Sequence, residues 1–93
     1  MKTITLQSET YQSVDDFYAD IAKKLNFPDH FGANLDAFEE CLTDSACKEP
    51  ITIVWDGYEK SRMVFGVNEA GVNYLTALLT IMSETKGVTL LLS

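Results

Sequence analysis

Apolar and polar positions change period several times along the chain, and each change marks an element. In TITL (3–6), Ile4 and Leu6 alternate with threonines, the two-residue period of a strand with one buried face. From Val14 the period lengthens. Phe17, Ile21 and Leu25 recur at i, i+4 and i+8, flanked by Val14 and Tyr18, which predicts an amphipathic helix to about Leu25. Ser13 is placed to cap it, Asp16 is a weak capping-box partner, and Pro28 is expected to end the segment. Gly32 punctuates the chain again. Asn34 can cap a second helix whose buried stripe is Leu35, Phe38 and Leu42, with Ala37 and Cys41 beside them.

Pro50 leads into ITIVW (51–55), a β-branched apolar run that reads as a buried strand. Trp55, at its end, is expected in the core. GYEKSRMVF (57–65) suits a short helix. A longer helix is expected from about Glu69, capped by Asn68, to Lys86, with Val72, Leu75, Leu78, Leu79 and Met82 inward and Gly87 as its stop. VTLLL (88–92) reads as a third strand, apolar enough to be covered on both faces. The element order is β-α-α-β-α-α-β. Strands joined by helical crossovers pair in parallel. The expected class is therefore α/β, with a small three-stranded parallel sheet and about four helices packed against it. The order of the strands cannot be read from the pattern.

Length and composition narrow this picture. The chain has 93 residues, enough for one domain with one modest core, so residues 1–93 are expected to form a single unit. Hydrophobic residues make up 46%, which argues against disorder. No apolar run is long enough to span a bilayer. The opening MKTITLQSETY lacks the apolar segment of a secretory leader, so a cytoplasmic location is expected. Cys41 and Cys47 match neither a CxxC motif nor a zinc-ligand spacing. Cys41 lies on the apolar side of its helix and is expected as a buried thiol. The spacing does not assign a role to Cys47.

Charge adds a more specific feature. Fourteen acids against seven bases give a net charge of -7, which disfavours nucleic acid and anionic membranes as partners and favours a basic protein. The window from Asp29 to Glu49 holds Asp29, Asp36, Glu39, Glu40, Asp44 and Glu49 against Lys48 alone. Asp36, Glu40 and Asp44 recur at i, i+4 and i+8 on the predicted second helix, with Glu39 next to them. Like charges at that spacing cost roughly 0.2–0.5 kcal/mol per pair.

Several chemistries use acids of this kind. A metal site would need an EF-hand loop or a Glu-x-x-His pair, and neither occurs; His30 is the single histidine. A hydrolytic carboxylate pair would need a cleft, for which a chain this short has little wall. A Cys41–His30–Asp36 triad would need Cys41 turned away from the core. A glycine-rich phosphate loop is missing. The expectation is a protein without cofactor, metal or catalytic function. Two readings of the acids remain. One is a solvated face opposite an apolar stripe, although such faces ordinarily mix both signs. The other is an acidic ridge that docks on a cationic cleft.

FGANLDAFEECL resembles the Tyr-Gly-x-Asn-Leu-Asp-Ala-Leu-x-Asp-x-Leu signature of the barstar family, intracellular inhibitors of secreted microbial ribonucleases. The similarity extends through SVDDFYADIAKKL, ITIVWDGYEKSR and VTLLLS. The resemblance implies a three-stranded parallel sheet with packed helices. It also implies that the second helix and the loop before it plug a nuclease active site. Carboxylates then stand where substrate phosphates lie, because a carboxylate offers a guanidinium much the same pair of acceptors.

Residue by residue, Asp36 matches the family's first acid and Glu40 its main inhibitory acid, one methylene longer. Glu39 stands at a tryptophan position and His30 at a tyrosine position, while Phe31 keeps the next aromatic. Asp44 replaces a glycine, where its charge opposes the helix dipole. A further acid of the family's last helix has no counterpart, since Thr80 or Met82 falls there. The implied contacts are His30, Phe31, Asp36, Glu39, Glu40 and Asp44. The implied partner is a basic extracellular-type ribonuclease, and the free chain is expected to be a monomer, an immunity protein for its producing cell. An interaction or regulatory module that uses the same ridge on a basic protein other than a nuclease also fits the residues.

Overall fold

A computed structural model of the chain describes residues 2–28, 31–67 and 70–93. Strand β1 (Lys2–Gln7) buries Ile4 and Leu6 and leaves Thr3 and Thr5 exposed, as its alternation requires. A 3-10 turn (Ser8–Thr10) leads to helix α1 (Val14–Leu25), whose buried residues are Phe17, Tyr18, Ile21 and Leu25. The capping differs in detail from expectation. The Ser13 side chain accepts no bond, and Asp16 instead accepts the Gln12 backbone N–H at 2.8 Å. The helix stops at Asn26, which takes a left-handed φ of 55°, so the stop precedes Pro28.

Helix α2 (Leu35–Lys48) crosses back to strand β2 (Ile51–Asp56), which buries Ile51, Ile53 and Trp55. A 3-10 turn (Tyr58–Lys60) and the short helix α3 (Ser61–Phe65) follow, as the sequence suggests. Helix α4 (Tyr74–Glu84) begins later than the predicted Glu69. Gly71 sits at φ 79°, outside helical geometry, and the Asn73 side chain caps the helix by accepting the Thr76 N–H at 3.1 Å. Asn68 and Glu69, named in the predicted cap, lie outside the described residues. Leu75, Leu78 and Met82 are fully buried and Leu79 packs against the core, but Val72 precedes the helix and is 45% exposed. The helix ends at Thr85, so Gly87 is not its immediate stop. Gly87 has φ 91° and passes so close to α2 that a Cβ would lie 3.1 Å from the Ala46 carbonyl oxygen.

Strand β3 (Val88–Leu92) completes a parallel sheet in the order β1-β2-β3. Right-handed crossovers that progress in one direction along a sheet leave every helix on the same side. The result is two layers, so β3 is not covered on both faces: Thr89 and Leu91 are exposed. Threonines line the open face, with Thr3, Thr52 and Thr89 adjacent in register. Between the layers Trp55 is fully buried, as expected, and stacks on Phe17 with ring centroids 5.2 Å apart. Its Nε1–H donates to Ser8 Oγ at 2.7 Å, and the buried Ser61 hydroxyl donates to the same oxygen at 2.6 Å.

Candidate partner-binding face

The start of α2 is fixed from both sides, and this sets the phase of every residue on it. Before the helix, Phe31 is half-buried against Phe27 and Tyr18, with ring centroids 5.1 and 5.6 Å away. Tyr18 in turn shares a 2.5 Å hydroxyl bond with Tyr74 at the start of α4. The turn into the helix places Ala33 in the left-handed region at φ 49°, a conformation that costs an L residue roughly 1–2 kcal/mol. Gly32 marks the turn in sequence but has no such φ. Asn34 then caps the helix as expected, its Oδ1 accepting the Ala37 N–H at 2.8 Å.

With the start fixed, Phe38, Leu42 and Ala46 point into the core. Asp36, Glu39, Glu40 and Asp44 are consequently exposed. Among the described residues no side chain forms an ion pair or hydrogen bond with any of these four carboxylates; the ion pairs found are Lys24–Asp20 and Arg62–Glu59. Asp36 lies in the first turn, where the helix dipole favours a negative charge, and Asp44 approaches the other end, where it does not. The four acids predicted from spacing therefore all lie on the exposed side of the helix. His30 lies outside the described residues.

Cys41 is half-buried and packs against the core, a partial departure from the fully buried thiol expected. Burial, followed by the charges of Asp44 and Glu40, pushes its pKa up, which keeps it protonated and a poor nucleophile. Cys47 is exposed. Of the two α4 residues that match the family's further acid, Met82 is fully buried and Thr80 is exposed. Neither position of α4 therefore carries the family's further acid. The left-handed Ala33 and the Tyr18–Tyr74 bond, which brace the loop before α2, left no signal in the spacing of residues.

Fold and face together define a class: a small two-layer α/β protein that carries its distinguishing chemistry on the outer side of one helix. The chain belongs to the Barstar family. The family model described as "Barstar (barnase inhibitor)" matches residues 1–88. A Bacillus subtilis (strain 168) protein named "Putative ribonuclease inhibitor YrdF" is 29% identical over 86 residues, which cover 92% of this chain and 87% of that protein. The family is one of inhibitors, and the chain is accordingly not an enzyme. No helix among the described residues is long and apolar enough to cross a membrane.

Proposed function

We propose that the chain inhibits a basic, extracellular-type microbial ribonuclease by laying α2 and the loop before it into the active-site cleft. Asp36 and Glu40 are the principal contacts, with Glu39, Asp44, Phe31 and His30 around them. One observation carries this reading: four exposed carboxylates share one face, and among the described residues no cation pairs with them. An external cation would relieve their mutual repulsion, and a nuclease cleft built for phosphates supplies such cations. Family membership and the name of the Bacillus subtilis relative support the same target class.

Two departures shape the fit. Glu40 reaches one methylene further than aspartate, and Thr80 brings no charge to the position of the family's further acid, so the target's principal cations face α2. The protein acts in the cytoplasm as an immunity protein for the cell that makes the nuclease. Its net charge of -7 keeps it from binding RNA itself.

The test is a panel of basic ribonucleases, including any encoded beside this chain. Stoichiometric inhibition of at least one is expected. Association with that enzyme should slow as salt rises, because screening shortens the field to about 8 Å at physiological ionic strength. If no member of the panel is inhibited, the proposal fails and the acidic face serves a basic protein of another kind.

A further inference from the structure

The sheet has two edges, and the described residues protect them unequally. Lys2 donates its N–H to Pro50 O, toward β2, so Thr3, Thr5 and Gln7 turn their backbone groups outward. Lys24 Nζ donates to Thr5 O at 2.7 Å while paired with Asp20 at 2.9 Å. Thr10 Oγ1 donates to Gln7 O at 2.7 Å. A charged side chain laid across an edge is a common block to strand addition.

Among the described residues, no side chain covers β3 in the same way. Ile51 donates to Gly87 O, Ser93 donates to Trp55 O, and Gly57 donates to Ser93 O. By alternation, Thr89 and Leu91 also face β2, while Leu90 and Leu92 turn both backbone groups outward. Leu91 is 51% exposed and Leu92 is 42% exposed. Residues Gly87 to Ser93 include no charged side chain, and over Tyr74–Ser93 the charges of Glu84 and Lys86 cancel. The net charge of -7 therefore lies outside α4 and β3. A second copy carries the same excess and is repelled elsewhere, but not at this strip.

We propose that β3 pairs with β3 of a second copy, antiparallel about a two-fold axis near Leu90, to join the two three-stranded sheets into one. The arrangement brings Lys86 of each copy toward the end of the other's strand, where Asp56 accepts a 2.5 Å bond from the Ser93 hydroxyl. Opposite charges thus meet at both ends of a neutral, apolar contact. An isologous contact of this kind uses up both bare edges, and the protected β1 edge offers no second one, so assembly stops at two copies. The outer side of α2 faces away from the sheet and stays free, so pairing and target binding do not compete.

Sedimentation velocity with reductant present, from micromolar to millimolar protein, tests this. The weight-average mass of the wild type should double and go no higher. Leu92→Pro removes an outward N–H and no bond to β2, and Leu91→Lys adds a repelling charge at an exposed site. Each should stay folded by far-UV circular dichroism and shift the midpoint of association at least tenfold upward in concentration. If Leu92→Pro does not fold, Leu91→Lys alone decides. A wild type that stays monomeric throughout, as the sequence led one to expect, overturns the proposal and leaves the edge to a strand of another protein. So does growth beyond two copies, or a folded Leu91→Lys that associates as tightly as the wild type.

Discussion

Helices α1 and α2 are built alike and use their charges in opposite ways. Both bury an aromatic and aliphatic stripe against the same sheet face. On α1, Asp15 and Asp16 occupy the first turn and Lys23 and Lys24 the last, each in its favourable place along the helix dipole. Asp16 takes a backbone N–H, and Asp20 joins Lys24 to the Tyr11 hydroxyl. On α2 the acids run the length of the exposed face without a partner among the described residues, and Lys48 is the single base. Charges on α1 are spent inside the fold. Charges on α2 are held back from it, at a small cost in stability, and so remain available to another molecule.

The sharpest way to break this comparison is to remove α2 carboxylates and read binding and folding side by side. Asp36→Ala or Glu40→Ala should weaken binding to the target ribonuclease by about 2–5 kcal/mol, a range carried over from interfaces that include the barnase–barstar pair of this family. Neither should move the urea midpoint by more than roughly 0.5 kcal/mol of stability. Variants that bind as tightly as the wild type would reduce α2 to an ordinary solvated face.

Among effects on folding, the largest is expected from alkaline pH on the α1 side. Burial first, then the hydrogen bond to Asp20, raises the Tyr11 hydroxyl above the ordinary phenol pKa of 10.0. Burial and then Tyr74 do the same to Tyr18. The folded chain holds these protons more tightly than the unfolded one. Their stabilisation is therefore complete below about pH 10 and is lost progressively as pH rises above it. Urea midpoints from about pH 8 to about pH 11 should fall steeply in the wild type and less steeply in Tyr11→Phe. An unchanged slope in that variant would remove Tyr11 from the account.

A smaller loss should follow Asp20→Ala, which strips an acceptor from both Tyr11 and Lys24. About 1–2 kcal/mol of stability is expected to go, since the Tyr11 hydroxyl is left partly buried without its acceptor while Lys24 keeps Thr5 O. Chemical denaturation beside Glu40→Ala provides the direct contrast of the two helices; equal effects would erase it. The smallest change is expected at Asp44. Asp44→Asn relieves one i,i+4 repulsion with Glu40 and should raise stability by about 0.2–0.5 kcal/mol. A decrease in the melting temperature would mean that Asp44 has a stabilising role in the fold.

Local pattern alone determined much of this protein. The alternation of Ile4 and Leu6, the i, i+4, i+8 spacing of Phe17, Ile21 and Leu25, and the acids at Asp36, Glu40 and Asp44 each depend on neighbours within a few residues. Periodicity records such relations directly. The element order and the side of α2 that carries charge were legible for that reason, as was the family through FGANLDAFEECL. The tertiary structure alone decided what depends on distant partners. Apolarity in VTLLL does not say whether one sheet face is covered or two; that follows from the strand order and the shared direction of both crossovers. Nor does local spacing show that Asp20 meets the Tyr11 hydroxyl, or that Glu40 has no partner among the described residues. Late initiation of α4 depends on Gly71 and on the Asn73 cap, which outweigh a helical pattern extending through Val72. Whether a charge is spent or held back depends on what lies across from it in space, and the order of residues records only what lies beside it in the chain.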